Sequence, residues 1–131
     1  MGIVIDTDIL IDLLRNKEYA VKKINELEKN EELATTDINA FELYFGAYNS
    51  RFKEKNIAST KGLLKAMILF HTHEESMEIA GRIFSEKRAK GKMMQIRDVL
   101  IAAIALQNGC RLLTNNRDHF EGIEGLSFQE F

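Results

Sequence analysis

The sequence predicts an α/β fold with a mainly parallel central sheet flanked by helices on both faces. Three short segments, 2–5, 33–36 and 111–114, have the length and composition of buried strands. The first two are each followed by a segment with apolar residues at helical spacing, and the third is preceded by one. Alternation of strands and helices is typical of parallel sheets. We therefore expect a single domain across residues 1–131.

The elements can be assigned in order along the chain. Apolar periodicity predicts helices at 9–14, 19–29, 37–49, 72–90 and 97–106. A further strand is predicted at 68–71 and a final edge strand at 126–131. The sequence contains no proline, so glycine, asparagine and capping side chains must end the helices.

Composition excludes several classes of protein. A hydrophobic fraction of 45% supports a real core, and a net charge of −2 gives no general attraction to nucleic acid or lipid. The one cysteine, Cys110, excludes an intrachain disulfide and fits a reducing compartment. No apolar run reaches the roughly 18 residues of a membrane span, and the N-terminus lacks a signal-like segment. We expect a cytoplasmic protein without a membrane partner.

Polar residues fall where the predicted strands end or the helices begin. Asp6 follows the first strand, Asp98 begins the alanine-rich helix, and Thr114 opens a polar segment after the strand at 111–114. Because the carboxyl ends of parallel strands share one edge of the sheet, these positions can lie together where ligands bind in open α/β sheets.

Each of these acids has a simpler structural alternative. Thr7 or Asp8 can cap the first helix, because short oxygen-bearing side chains accept hydrogen bonds from free N–H groups. Asn39 as N-cap and Glu42 three residues later match a capping box, although Glu42 can equally face the sheet edge as a ligand. Asp98 in the first turn meets the positive end of the helix dipole.

A cluster of these acids would require a cation or raised pKa values. Three carboxylates within about 5 Å of one another repel by roughly 3 kcal/mol per pair at an effective dielectric constant near 20. Oxygen-only ligands suit Mg²⁺ or Mn²⁺, which keep several waters and bridge to substrate phosphates. Such an ion can generate hydroxide and stabilise charge on a phosphoryl group. The chemistry indicated is phosphodiester hydrolysis.

Four segments carry a resemblance to a known family: 4–14, Glu42–Ala47, Asp98–Ala103 and Leu113–Asn116. In this order and spacing they resemble the signatures of PIN domains, in particular the VapC-type ribonuclease toxins of prokaryotic toxin–antitoxin pairs. The similarity extends from about residue 3 to 128. The resemblance implies a metal-dependent endoribonuclease that acts on RNA, a homodimer, and a cognate antitoxin that blocks the site.

Position by position, the resemblance also implies site residues. Asp6, Glu42 and Asp98 match the three acidic metal-site residues of the family, and they would hold one Mg²⁺ or Mn²⁺. Asn116 stands where many members have a fourth Asp, so this chain departs from the pattern there. Thr114 matches a small hydroxyl residue that helps to order the site. We expect Asp6, Glu42, Asp98 and Asn116 to be the catalytic residues.

Other residues have auxiliary roles in this interpretation. Asp118 can substitute for the missing fourth acid, and Asp8 matches a position that is often Ser or another small polar residue, just outside the metal ligands. Candidates for holding RNA are Arg97, Arg117 and the lysines near 51–55 and 87–92.

Three alternative functions remain open at this point. One is a PIN nuclease that processes RNA without an antitoxin. Another is a phosphoacceptor receiver domain, which also has acids at the carboxyl edge of a parallel sheet, but no lysine follows a strand end here. The last is an interaction module that keeps the fold without catalysis. The three acids disfavour it, whereas Asn116 is compatible with it.

Overall fold

A computed structural model describes residues 2–131 and contains one four-stranded, wholly parallel sheet in the order β3-β2-β1-β4. The strands are β1 (Gly2–Ile5), β2 (Glu32–Thr36), β3 (Ile68–Phe70) and β4 (Arg111–Leu113). The helices are α1 (Thr7–Leu14), α2 (Glu18–Leu27), α3 (Asp37–Tyr48), α4 (Lys53–Lys65), α5 (Glu74–Ala89) and α6 (Ile96–Gln107), and a short 3-10 helix spans Arg117–Phe120. The predicted α/β fold is confirmed.

Side-chain alternation along β1 divides the core between the two faces of the sheet. Ile3 and Ile5 belong to one buried cluster, with α1 and α2, whereas Val4 belongs to the other, with α5 and α6. Successive strand residues point to opposite faces, so a strand buried on both sides must be apolar throughout. The apolar run at the start of the chain therefore predicts its central position in the sheet.

The alanine-rich segment forms α6, which is buried almost all round. Residues Ile101 to Ala105 are completely buried, because small side chains let the helix pack closely against its neighbours. None of the helices within residues 2–131 is long and apolar enough to cross a bilayer.

Two parts of the chain differ from expectation. Helix α4 was not predicted, because its apolar residues are concentrated at its C-terminal end rather than spread along one face. The predicted edge strand at 126–131 is wrong, since in residues 2–131 this tail pairs with the sheet only at the Leu112–Phe128 bridge. Gly122 and Gly125, both at positive φ, turn the chain just before the tail.

The carboxyl edge of the sheet gathers the polar residues that follow the strands. The backbone N–H of Asp6 donates to the carbonyl of Leu113 over 2.9 Å, which extends the pairing of β1 with β4 by one residue. This bond places Asp6 beside Thr114, 108 residues away in the chain.

Candidate active site

Three acidic side chains converge on one guanidinium, that of Arg97. Its Nη2 donates to Asp6 Oδ1 over 2.9 Å and to Glu42 Oε1 over 2.7 Å, and its Nε donates to Glu42 Oε2 over 2.9 Å. Its Nη1 donates to Asp98 Oδ1 over 2.6 Å. The three carboxylates expected at the sheet edge are thus brought together, with a cationic side chain between them.

Asp6 is held at the junction of β1 and α1. Its extended backbone makes it the N-cap of α1, and its Oδ1 accepts from the N–H of Thr7 over 2.8 Å. The prediction that Thr7 or Asp8 caps this helix is wrong, because the helix begins at Thr7, immediately after the strand ends. Asp6 therefore both caps α1 and contributes a carboxylate to the cluster.

The Asp6 carboxylate is only 1% exposed, so its oxygens need hydrogen-bond donors within the protein. The hydroxyl of Thr114 donates to Oδ2 over 2.7 Å, and the amide of Asn39 donates to Oδ1 over 3.2 Å. Thr114 thus fixes one oxygen of Asp6, and its role in ordering a functional site stays a prediction. A carboxylate bonded on both oxygens is fixed in position before any ligand arrives.

Asn39 and Thr7 are site residues that sequence reasoning missed. The capping box of α3 is formed by Thr36 and Asn39, so the predicted box of Asn39 with Glu42 is wrong. Helix α3 begins at Asp37, which leaves Glu42 in the second turn and free to face the edge. The Asn39 amide donates to Thr7 Oγ1 over 2.8 Å, and that hydroxyl donates to Glu42 Oε1 over 2.6 Å.

Asn116 lies beside the cluster and is joined to Asp8. Its amide donates to Asp8 Oδ2 over 3.3 Å, and its backbone N–H donates to Thr114 Oγ1 over 3.0 Å. The other Asp8 oxygen, Oδ1, is buried, and no donor within residues 2–131 forms a hydrogen bond to it. Burial raises the pKa of Asp8, and the nearby charge of Asp6 raises it further.

The residues after Asn116 contribute a histidine rather than an acid. Asp118 is exposed in the 3-10 helix, and no hydrogen bond or ion pair within residues 2–131 joins its carboxylate to the cluster. His119 Nδ1 instead lies 3.8 Å from Asp98 Oδ2. Sequence reasoning had no signal for this contact, because a single short turn decides which of these neighbouring side chains faces α6.

The cations expected to hold RNA lie in different environments. Arg97 lies within the acid cluster. Arg117 is half-exposed, pairs with Glu130 over 2.9 Å and lies over the Phe128 ring, 4.4 Å from its centroid. Lys87 donates to the backbone carbonyl of Glu121. Lys53 and Lys55 remain exposed on α4.

The cluster carries more negative than positive charge. Burial raises the pKa of Asp98 although the hydrogen bond and charge of Arg97 lower it. Burial lowers the pKa of Arg97, but its hydrogen bonds to Glu42 and the charge of Asp6 raise it above its ordinary value overall. One guanidinium thus faces three carboxylates; the Coulomb attraction of such a pair is about 4 kcal/mol at 4 Å and an effective dielectric constant of 20, and the desolvation of the buried charges offsets part of it.

By its chemistry, though not by its spacing, this donor set suits a divalent metal ion. In the described part of the chain, no group of three or more His, Cys, Asp or Glu side chains is placed so that it could hold a metal ion. The chemistry of the cluster is nevertheless that of a Mg²⁺ or Mn²⁺ site: three carboxylates, all oxygen donors, converging on one cationic group.

A cleft of about 370 Å³ opens next to Glu42, between α1, α3 and α4. Its walls combine apolar side chains with two basic ones, and they include Ile11, Leu14, Arg15, Leu43, Lys55 and Thr60. The cleft gives the acid cluster a neighbouring surface large enough for part of a ligand.

Comparison with known proteins identifies the family. A family model described as PIN domain matches residues 3–126. The chain is 32% identical to ribonuclease VapC19 of Mycobacterium tuberculosis, covering 88% of this chain and 90% of that protein. It is 26% identical to the tRNA(fMet)-specific endonuclease VapC of Shigella flexneri, covering 97% and 96%. The crystal structure of DNA-bound VapBC from Salmonella typhimurium matches with a TM-score of 0.88 and 26% identity, covering 98% of this chain and 97% of that one.

Proposed function

Because this chain belongs to the PIN-domain family, we propose that it is a Mg²⁺- or Mn²⁺-dependent endoribonuclease and the toxin of a toxin–antitoxin pair. The observation that carries the proposal is the convergence of Asp6, Glu42 and Asp98 on a single cationic group at the carboxyl edge of the sheet. The VapC relatives named as ribonucleases support it.

In this proposal the three carboxylates hold the metal ion. When bound, the ion supplies a water activated for attack on a backbone phosphate and stabilises negative charge on the phosphoryl oxygens. Thr114 and Asn39 fix the direction of the Asp6 oxygens, and Thr7 fixes one oxygen of Glu42. These bonds orient the carboxylate oxygens of Asp6 and Glu42 before a ligand binds.

The chain's own cations position the RNA. Arg15 and Lys55 line the cleft beside Glu42, where phosphates on either side of the cleaved bond can lie. Phosphate contacts of this kind orient a strand without reading its sequence. Lys53, Lys90, Lys92 and Arg117 are exposed and are further candidates for phosphate contacts.

The proposed partners are a cognate antitoxin and a second copy of the chain. Support for the antitoxin comes from the VapBC complex of Salmonella typhimurium, whose toxin-like chain has the same fold. Four aromatic side chains on and between α3 and α4 are 58–68% exposed: Phe41, Phe45, Tyr48 and Phe52. Exposed apolar surface of this extent is typical of protein contacts, and it supports a homodimer or an antitoxin bound on this face.

An RNA cleavage assay tests the proposed activity. Wild-type protein should cleave RNA in Mn²⁺ or Mg²⁺ and lose that activity in EDTA, whereas Asp98→Asn should be inactive under both conditions. The matched control is Arg111→Met at the opposite edge of the sheet, which should cleave normally. Equal cleavage by Asp98→Asn and wild type would contradict the assignment of the site.

Two other outcomes would redirect the proposal. If no divalent ion supports cleavage by folded wild-type protein, the chain is an interaction module without catalysis. If the protein cleaves RNA but its expression does not slow growth, it is a nuclease of RNA processing rather than a toxin.

A further inference from the structure

The feature that carries a further inference is the place of Arg97 itself. Its guanidinium makes four hydrogen bonds of 2.6–2.9 Å to Asp6, Glu42 and Asp98. It therefore occupies the point on which the three carboxylates converge. A divalent ion held by the same carboxylates needs that point, because hard cations require direct contact with their oxygen ligands.

We infer that Arg97 is an internal counter-cation that competes with the divalent ion for the acid cluster. This inference rests on the proposed function. In the ion-free protein the guanidinium neutralises part of the carboxylate charge and keeps the site folded. Binding of the ion requires the side chain to leave, so metal occupancy is coupled to the position of Arg97.

The surroundings of Arg97 permit this movement. Its side chain is 26% exposed, whereas Asp6 and Asp98 are 1% and 3% exposed. Among residues 2–131, its side-chain hydrogen bonds lead to the three carboxylates, apart from a long contact of 3.5 Å to Thr7 Oγ1. It stands in the first turn of α6 beside Ile96, which is 66% exposed, so rotation about side-chain bonds takes the guanidinium into solvent.

Competition of this kind sets the apparent affinity for metal. Only the fraction of molecules in which Arg97 has left the cluster can bind the ion, so the apparent Kd exceeds the intrinsic Kd by the inverse of that fraction. Removal of the guanidinium should therefore tighten metal binding while it destabilises the ion-free protein. Once released, the Arg97 guanidinium can donate two parallel hydrogen bonds to a phosphate next to the ion.

Calorimetric titration with Mn²⁺ alone tests the inference without any activity assay. Arg97→Met keeps the length of the side chain and adds no oxygen ligand, so it should bind Mn²⁺ at least about tenfold more tightly than wild type. Arg111→Met is the matched control, because Arg111 has the same 26% side-chain exposure but pairs with Glu31 at the amino edge. Its affinity should equal that of wild type.

The outcomes separate this inference from the proposed function. Equal, measurable affinities of wild type and Arg97→Met overturn the competition but leave the metal site standing. Absence of Mn²⁺ binding by both proteins overturns the metal site and the competition together. Circular dichroism and a melting curve establish that each variant is folded before titration.

A second measurement needs no variant. It distinguishes displacement of the Arg97 side chain by the bound ion from a general effect of the charge at position 97 on metal affinity. The Arg97 Nε–H group, which donates to Glu42 Oε2, has its own NMR signal. During a titration of wild-type protein with Mg²⁺, that signal should move and exchange faster with water, with the same midpoint as a calorimetric titration with Mg²⁺. A signal that stays protected at saturating Mg²⁺ overturns the inference, including in the case where Arg97→Met does not fold.

Discussion

Arg97 and Arg111 form a natural comparison between the two edges of one sheet. Both side chains are 26% exposed, and both form ion pairs between residues distant in the chain. Arg111, at the start of β4, donates to Glu31 over 2.7 Å and to Gln129 over 2.9 Å at the amino edge. Arg97 donates to three carboxylates at the carboxyl edge.

The difference lies in the number and burial of the acids. At the amino edge, the hydrogen bond from Arg111 lowers the pKa of Glu31, as expected for an accessible pair. At the carboxyl edge, burial raises the pKa of Asp98 even though Arg97 opposes the shift. At the amino edge the charge of Arg111 is thus matched by that of Glu31. At the carboxyl edge three carboxylates face one guanidinium, so negative charge remains that a further cation can neutralise.

Asp6→Asn should produce the largest effect, because it removes the charge of the most buried acid in the cluster. In the proposed mechanism this variant lacks one charged ligand of the metal ion, and we expect a loss of about a thousandfold in RNA cleavage, which corresponds to about 4 kcal/mol in activation free energy. The fold should persist, since asparagine can also cap α1. Initial cleavage rates and circular dichroism measure the two effects, and cleavage at the wild-type rate would show that the site lies elsewhere.

Thr114→Val should have the next largest effect, because it leaves a buried oxygen of Asp6 without its hydroxyl donor. The free energy of unfolding should fall by about 1–3 kcal/mol, and cleavage by about 10–100-fold. Urea unfolding and the RNA assay provide the measurements. Thr114→Ser restores the hydroxyl and should recover most of both quantities; equal losses in the two variants would mean that packing, not the hydrogen bond, is responsible.

The raised pKa of Asp98 predicts a smaller, pH-dependent effect on stability. The folded protein binds the Asp98 proton at a higher pH than the unfolded chain, where the pKa is near 3.8. Lowering the pH from 7 to about 4 should therefore stabilise wild type relative to Asp98→Asn. Urea unfolding in EDTA across this range measures the difference. If wild type instead becomes less stable relative to Asp98→Asn as the pH falls, the pKa of Asp98 is lowered in the folded protein rather than raised.

Arg111→Met should have the smallest effect. A partly exposed ion pair contributes little to stability, so the melting temperature should fall by less than about 4 °C. RNA cleavage should stay within about twofold of wild type, because Arg111 lies at the edge opposite the acids. A large loss of cleavage would mean that the two edges are coupled, which would break the comparison.

The sequence by itself determined the fold class, most of the elements and the edge on which the acids lie. An apolar run of four residues followed by Asp6 already places a carboxylate at the end of a buried strand, because strand and helix periodicities are local properties. The same reasoning located Asp98 at the start of α6 and Glu42 on α3. Their roles as metal ligands stay a prediction.

Only the tertiary structure decided how these side chains are partnered. Arg97 and Asp6 are 91 residues apart in the chain, and Asn39 and Asp6 are 33 apart. Periodicity says which face of a helix a residue occupies, but its rotamer and its hydrogen bonds depend on which distant elements pack beside it. For that reason Arg97 could be recognised in the sequence as a cation, whereas its place among the three acids emerged only when α3, α6 and β1 met at one edge.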